Sequence, residues 1–115
     1  MFVADDGNTL VGMALSLPGR ADDGAGAQIQ GLRHLTGLSV LPDRWGRGIG
    51  GQLLDTVLTE ASQQGSVRVT LWTHATNPDA HRLFEARGFR RTGRVRSDEL
   101  GAILVHCQLT LSGNP

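Results

Sequence analysis

At 115 residues the chain is long enough for one compact domain, spanning 1–115, and too short for two. Its 11 basic and 11 acidic residues cancel, so no net field favours nucleic acid or an anionic membrane as a partner. No apolar run approaches the roughly 20 residues of a membrane span, and the single cysteine, Cys107, excludes an intramolecular disulfide. The N-terminus lacks a basic region followed by an apolar stretch, so no signal peptide is expected and the cytoplasm is the expected location. All the basic residues are arginine, which codon bias explains as well as phosphate recognition does.

In chain order, Phe2–Ala4 is a short apolar piece, and Asp5-Asp6-Gly7-Asn8 is a turn signal. Leu10–Leu17 reads as a strand, giving an opening hairpin. Pro18–Gly31, rich in Gly, Ala and Asp and without pattern, is expected to be a mobile loop. Leu32–Leu41 reads as a strand with Leu32, His34, Thr36, Leu38 and Val40 on one face. Pro42 ends it.

A glycine-dense turn, Trp45–Gly51, leads into apolar residues at Leu53, Leu54, Val57, Leu58 and Ala61, the spacing of an amphipathic helix over 50–64. Gly65 is placed to stop that helix. Val67–Thr73 is a β-branched strand. Asn77 caps a second helix with Pro78 at its first position and Asp79 in its first turn; Ala80, Leu83 and Phe84 form its buried stripe. Gly88 ends it, and Phe89 can fold back on the stripe. Strands at Arg90–Arg96 and Ala102–Leu111 complete the order β-β-β-α-β-α-β-β, a mixed α/β fold.

Glycines between a strand and a helix let backbone approach a bulky anion. The first helical N–H groups have no internal acceptor, and with the helix dipole they form a pyrophosphate site, to which Arg47 could add a charged contact. Gly46, Gly48 and Gly51 also satisfy G-x-G-x-x-G. Pro42-Asp43-Arg44-Trp45 separates that match from its strand, however, and the ribose-binding acidic residue about 20 positions on is missing. A Walker loop fails because no Gly-Lys-Ser/Thr follows. A turn with no ligand is the remaining reading; several glycines at a helix start, each costing roughly 1 kcal/mol, weigh against it.

The run from Leu38 to Leu54 resembles motif A of the GNAT acyltransferases, an [Arg/Gln]-x-x-Gly-x-[Gly/Ala] loop after a splayed strand. Gly48 and Gly50 match its glycines, and Trp45 stands at the Arg/Gln position. Asn77 to Phe89 is similar to the family's Asn-x-x-Ala-x-x-[Leu/Phe]-Tyr-x-x-x-Gly-Phe segment. The two blocks occur in the family's order, and the resemblance covers roughly residues 2 to 111. It implies a mostly antiparallel sheet with a splayed central strand and two packed helices. It further implies an N-acetyltransferase that moves an acetyl group from acetyl-CoA to an amine of a small molecule or protein. By the same resemblance, the backbone of Leu38, Ser39 and Val40 would pair with the pantetheine arm, as a strand is completed by a peptide. The loop Trp45, Gly46, Arg47, Gly48, Ile49, Gly50, Gly51 would hold the pyrophosphate. Asn77 would reach the pantetheine, and Ala80 and Phe84 would flank the thiol. No metal is expected.

Direct transfer needs a base for the amine, a donor for the thioester oxygen and a proton for the leaving thiolate. His34 stands where the family often places Glu, and its ordinary pKa near 6.5 suits a base. A structural histidine is the equal alternative. His74 is a second candidate, His81 is expected to be exposed, and His106 is expected to be structural. Phe84 replaces the family's acidic Tyr, and the chain has no Tyr. Water, Ser39 or Cys107 would have to serve, although Cys107 reads better as a small buried strand residue. The strand and two helices that usually precede the opening hairpin are not in this sequence, so an exposed sheet surface and a homodimer are expected. A non-catalytic acyl-CoA-binding or interaction module is the competing reading.

Overall fold

The computed structural model describes residues 1–5 and 7–111; of the expected turn at 5–8, Asp6 lies outside the described residues. The strands and helices follow the expected order: β1 Phe2–Asp5, β2 Leu10–Arg20, β3 Gln28–Val40, α1 Ile49–Gln63, β4 Arg68–His74, α2 Pro78–Glu85, β5 Arg90–Ser97 and β6 Ile103–Thr110. Short 3-10 turns occupy Asp22–Gly24 and Pro42–Arg44.

The six strands form one sheet in the order β1-β2-β3-β4-β6-β5. Among the described strands only β3 and β4 run parallel, because α1 carries the chain back between them; the other pairs are antiparallel. Both helices pack on one face. Leu53, Leu54, Val57 and Ala61 of α1 and Phe84 of α2 share a core with Leu35, Val69, Leu71, Val105 and Cys107. Leu54, Leu71, Val57 and Val69 are almost completely buried, each contributing about 1.5–3 kcal/mol by leaving water. Side chains alternate across a strand. Thr70 and Trp72 of β4 and His106 of β6 therefore project from the other face, against which no described helix packs.

Local signals behave as the sequence implies. Gly65, at φ +84°, follows the end of α1. Asn77 Oδ1 accepts from Ala80 N–H at 3.1 Å and caps α2. Phe89 turns back after Gly88 and meets Phe84 edge-on, with ring centroids 5.6 Å apart.

Two expectations about strands are corrected. The segment 18–31 is not a loop: β2 extends to Arg20, β3 begins at Gln28, and a compact turn joins them. Ala21 N–H donates to Ala27 O at 2.9 Å, and Arg20 Nη1 donates to Gly26 O at 3.1 Å. This hairpin end is largely exposed, so its sequence carries no apolar alternation. Gly19 is needed for contact instead, since a methyl there would lie 2.3 Å from Leu32 Cγ. The second correction concerns β3. Leu15 pairs with Gly37 but Ser16 pairs with Leu35, so Thr36 is an extra, unpaired residue. This bulge exchanges the faces. Leu35 before it and Leu38 and Val40 after it all meet the core, while His34 projects from the opposite face. The single five-residue face read from the sequence does not exist.

Candidate functional site

The site is a gap between two parallel strands that part company. β3 and β4 pair only through Leu32–Leu35 and Arg68–Leu71, yet β3 continues to Val40 and β4 to His74. On its far side β3 remains paired with β2 as far as Gly12↔Val40. Leu41 N–H donates to Val11 O at 2.8 Å. Peptide groups alternate in direction along a strand, so those of Leu38 and Val40 face the gap and that of Ser39 faces β2. Trp45 Nε1 donates to Val40 O at 2.8 Å although the indole is 67% exposed. Trp45 thus covers one of the carbonyls that the gap would offer a peptide-like ligand.

Beyond the gap the chain turns through Pro42–Arg44 into the glycine loop. Gly46 and Gly48 have φ near +80°, where only glycine is unstrained, and a methyl on either would meet nothing within 4 Å. Gly48 is the N-cap of α1, and no side chain caps that end; the first turn holds no acidic residue. Gln52 N–H is bonded to Gly48 O at 3.0 Å. The N–H groups of Ile49, Gly50 and Gly51 precede it in the first turn, where a helix offers no acceptor. With the dipole they favour an anion, and Arg47 stands exposed beside them. Gly51 has a different use. It is buried, and a methyl there would lie 2.5 Å from Arg87 Nη2. Arg87 bridges the two helices: Nε donates to Asp55 Oδ1 at 2.7 Å and Nη1 to Leu83 O at 3.2 Å.

The N-terminus of α2 adjoins the end of β4. Asn77 uses its carbonyl oxygen as the cap, leaving its amide nitrogen for a ligand. Ala80 is half-buried against the core, and Phe84 is buried at 6% exposure. Phe84 and Cys107 border a shallow cavity of about 270 Å³ beneath α2, with His81, Glu85, Phe89 and Arg91. Burial pushes the Cys107 thiol pKa up, with Arg91 pulling the other way and Glu85 adding to the rise.

The four histidines divide sharply. His34 projects from the helix-free face one strand position before the bulge, its Nδ1 2.8 Å from Thr70 Oγ1. His74 ends β4, with Nε2 3.3 Å from Asp98 Oδ2. Asp98 also accepts from Leu100 and Ala102 N–H, each at 2.9 Å. The Ala102 bond above all holds its carboxyl below the usual carboxylate range, with burial opposing and Leu100 and His74 assisting. His81 is not exposed as expected: it is 8% exposed, because the first turns of α2 pack back on β4. Its Nε2 lies 3.0 Å from His74 O and must be the donor. Arg91 Nη2, 3.4 Å from the same nitrogen, is therefore a neighbour and not its hydrogen-bond donor. His106 is buried, with Nδ1 2.8 Å from Thr92 Oγ1 and its ring edge-on to Trp72 at 4.9 Å.

The structure therefore gathers Leu38, Val40, the glycine loop and Asn77 around one gap, with His34 on the helix-free side. Ser39 is exposed on that side. Sequence reasoning passed over Trp72, Arg94 and Arg96. Arg94 and Arg96 place their guanidinium carbons 5.3 and 4.5 Å from the centroid of the Trp72 ring. Their signal was legible: positions 94 and 96 of an alternating strand share a face. Among the described residues no three His, Cys, Asp or Glu side chains converge as metal ligands.

Residues 1–89 match the model of the acetyltransferase (GNAT) family. The rat protein N-acetyltransferase 8F1 is 36% identical over 93 residues, covering 81% of this chain and 40% of the relative. This chain thus spans about two-fifths of that relative's length. The ribosomal-protein-alanine N-acetyltransferase of Brucella melitensis superposes with a TM-score of 0.79 at 25% identity, covering 95% of this chain and 67% of that one. A putative acetyltransferase from Salmonella typhimurium, solved with its cofactor acetyl-CoA, superposes with a TM-score of 0.78 at 23% identity, covering 98% and 65%.

Proposed function

This chain belongs to the GNAT acetyltransferase family, and on that footing we propose that it binds acetyl-CoA and transfers the acetyl group to an amine of a small molecule or protein. The observation that carries the reading is the gap itself. β3 and β4 stop pairing at Leu35 and Leu71, and an uncapped helix N-terminus stands at its mouth. The residues present fit a CoA ester. Left-handed glycines at 46 and 48 leave open space for a pyrophosphate, the outward peptide groups of Leu38 and Val40 suit a pantetheine amide, and Asn77 keeps an amide N–H to donate. The relative solved with acetyl-CoA shares the fold.

Acetyl-CoA, when bound, supplies an activated acetyl thioester. Ile49, Gly50 and Gly51 offer their N–H groups to its phosphates, with Gly46, Arg47 and Gly48 shaping the approach. Trp45 swings from Val40 O to admit the arm. His34, its ring fixed by Thr70, takes the proton of the incoming amine directly or through water. Phe84 offers no proton, and the Cys107 thiol lies on the core face, so water or exposed Ser39 protonates the departing thiolate. The absence of a phenol beside the thiol position is the observation favouring the second reading, a module that binds the ester without turning it over. Thiol release from acetyl-CoA across a panel of amines, with wild type and His34→Ala, separates the two. Turnover that falls with His34→Ala supports catalysis; binding without turnover supports the module.

The helix-free face, with Leu17 at 48% and Val3 at 52% exposure, is the basis for proposing that the chain forms a homodimer. A monodisperse monomer in light scattering at high concentration would refute this. No described helix is long and apolar enough to cross a membrane, and cytoplasmic location, with residues 1–115 acting as one acyl-CoA-binding unit, completes the proposal.

A further inference from the structure

We propose that His74, oriented by Asp98, is the source of the proton that the departing CoA thiolate takes up. The proposal rests on the acetyltransferase reading above and deepens it, by giving the leaving group a donor within this chain.

Water and a serine hydroxyl are weaker acids than a thiol. Either can hand a proton to the thiolate, but only as a relay fed by a stronger acid. On the core face Phe84 has no acidic proton, and Cys107 is buried in β6. The free end of β4 is the remaining border of the gap. Its pairing with β3 stops at Leu71, leaving Trp72, Thr73 and His74 alongside. Of these three residue types only histidine gains and loses a proton in the neutral range. By strand alternation His74 projects from the helix-free face, as Ser39 does from β3, so the two border the gap on one face.

The His74 ring is aimed. Asp98 belongs to the turn between β5 and β6, on the side of β4 away from β3. Its Oδ2 lies 3.3 Å from His74 Nε2. The two ring nitrogens of an imidazole point in nearly opposite directions, so Nδ1 is turned from Asp98 toward the gap side. Asp98 is itself fixed: Oδ1 accepts from Leu100 and Ala102 N–H, each at 2.9 Å. Those bonds, that of Ala102 above all, hold its carboxyl below the usual carboxylate range. A charged carboxylate on Nε2–H is the partner that a doubly protonated imidazole needs. A purely structural tie between the turn and β4 is the competing account, but the backbone already makes that tie. Ala75 N–H donates to Ile103 O at 2.9 Å, Asp98 N–H to Ala102 O at 2.9 Å and Gly101 N–H to Asp98 O at 3.0 Å. His74 O also accepts from His81 Nε2 at 3.0 Å, anchoring the strand end to α2. A partly exposed imidazole–carboxylate pair adds little strength to this; what it fixes is the direction of the ring.

Two protons then move. His34 takes one as the amine nitrogen bonds to the thioester carbon. His74 Nδ1 gives one, through a water or Ser39, as the C–S bond breaks and its electron pair goes to sulfur. The neutral His74 ring keeps its other proton on Nε2, facing Asp98, and solvent recharges it.

The test compares acetyl-CoA with its selenoester analogue, whose selenolate departs without needing a proton. His74 is 55% exposed and a glutamine amide can still reach Asp98, so His74→Gln should fold as wild type does. With acetyl-CoA its kcat should fall about tenfold or more at unchanged donor KM, relay through water falling short of direct proton transfer. With the selenoester the deficit should vanish. Asp98→Asn, whose remaining carbonyl can still accept from Leu100 and Ala102, should show the same donor-dependent loss, because Asp98 acts as a positioning residue. An equal loss with both donors, or no loss with acetyl-CoA, overturns the proposal and leaves the acetyltransferase reading intact. A second readout does not depend on turnover: CoA should shift the His74 Nδ1 resonance saturably, and desulfo-CoA, which lacks the thiol, should not. Equal shifts, or none, overturn the proposal. Failure of the wild type to acetylate any amine counts against the acetyltransferase reading, and the resonance then decides the proposal.

Discussion

Gly48→Ala and Gly50→Ala, two positions apart, should have opposite effects. Gly48 caps α1 at φ +78°, a conformation costing an L-residue about 1–2 kcal/mol, of which about 0.4–1 kcal/mol is returned by the stiffer unfolded chain. Nothing lies within 4 Å of the new methyl, so packing neither adds to nor relieves this, and Gly48→Ala should lose about 1 kcal/mol. Gly50 lies inside the helix. A methyl there would sit 3.7 Å from Leu83 Cδ2 and 3.8 Å from Val40 Cγ2, ordinary contact distances. With the helix preference for alanine, Gly50→Ala should gain roughly 0.5–1 kcal/mol. Urea titrations at unchanged m-value measure both, and the melting temperatures should part by several degrees, at about 4 °C or more per kcal/mol. Isothermal titration with CoA adds a second axis: the Gly48 methyl protrudes at the helix mouth and should weaken binding about tenfold or more, by blocking phosphate approach at a cost of about 1.4 kcal/mol. If Gly48→Ala is as stable as Gly50→Ala and binds CoA as wild type does, the left-handed loop is not what the site depends on.

Three further outcomes follow from individual contacts. Because the Ala102 and Leu100 N–H bonds hold the folded Asp98 pKa below its unfolded value of about 3.9, its contribution is present above that pH and lost as pH falls through the folded pKa. Urea midpoints of Asp98→Asn should therefore fall less steeply than wild type below about pH 4; coincident slopes would refute this. The buried Cys107 thiol, its pKa raised, contributes nothing below the ordinary thiol value of about 8.5. Above it the unfolded chain ionises first, so wild type should lose stability with rising pH while Cys107→Ala does not, and a native-state thiol reagent should react slowly. Gly19→Ala drives a methyl to 2.3 Å from Leu32 Cγ and 3.0 Å from its Cβ, so it should destabilise by about 1–3 kcal/mol; an unchanged melting curve would mean that the β2–β3 hairpin is not closed there.

The sequence alone determined the features governed by neighbours in the chain. Asn77 caps α2, Gly65 follows α1, and Phe89 folds onto Phe84, because capping, left-handed turns and short hydrophobic contacts depend on residues only a few positions apart. Element order and the glycine loop are of the same kind. The tertiary structure decided matters that depend on pairing between distant segments. Thr36 becomes a bulge only because β2 and β3 register that way, and this moves His34 to the face opposite Leu38 and Val40. His81 is buried only because α2 lies against β4. Gly51 is small because Arg87 crosses above it, and Arg94 and Arg96 meet Trp72 only because β6 sets β5 two strands from β4. A strand's periodicity reports which residues alternate, but register and packing partners are free-energy choices made across the whole sheet, and no local window contains them.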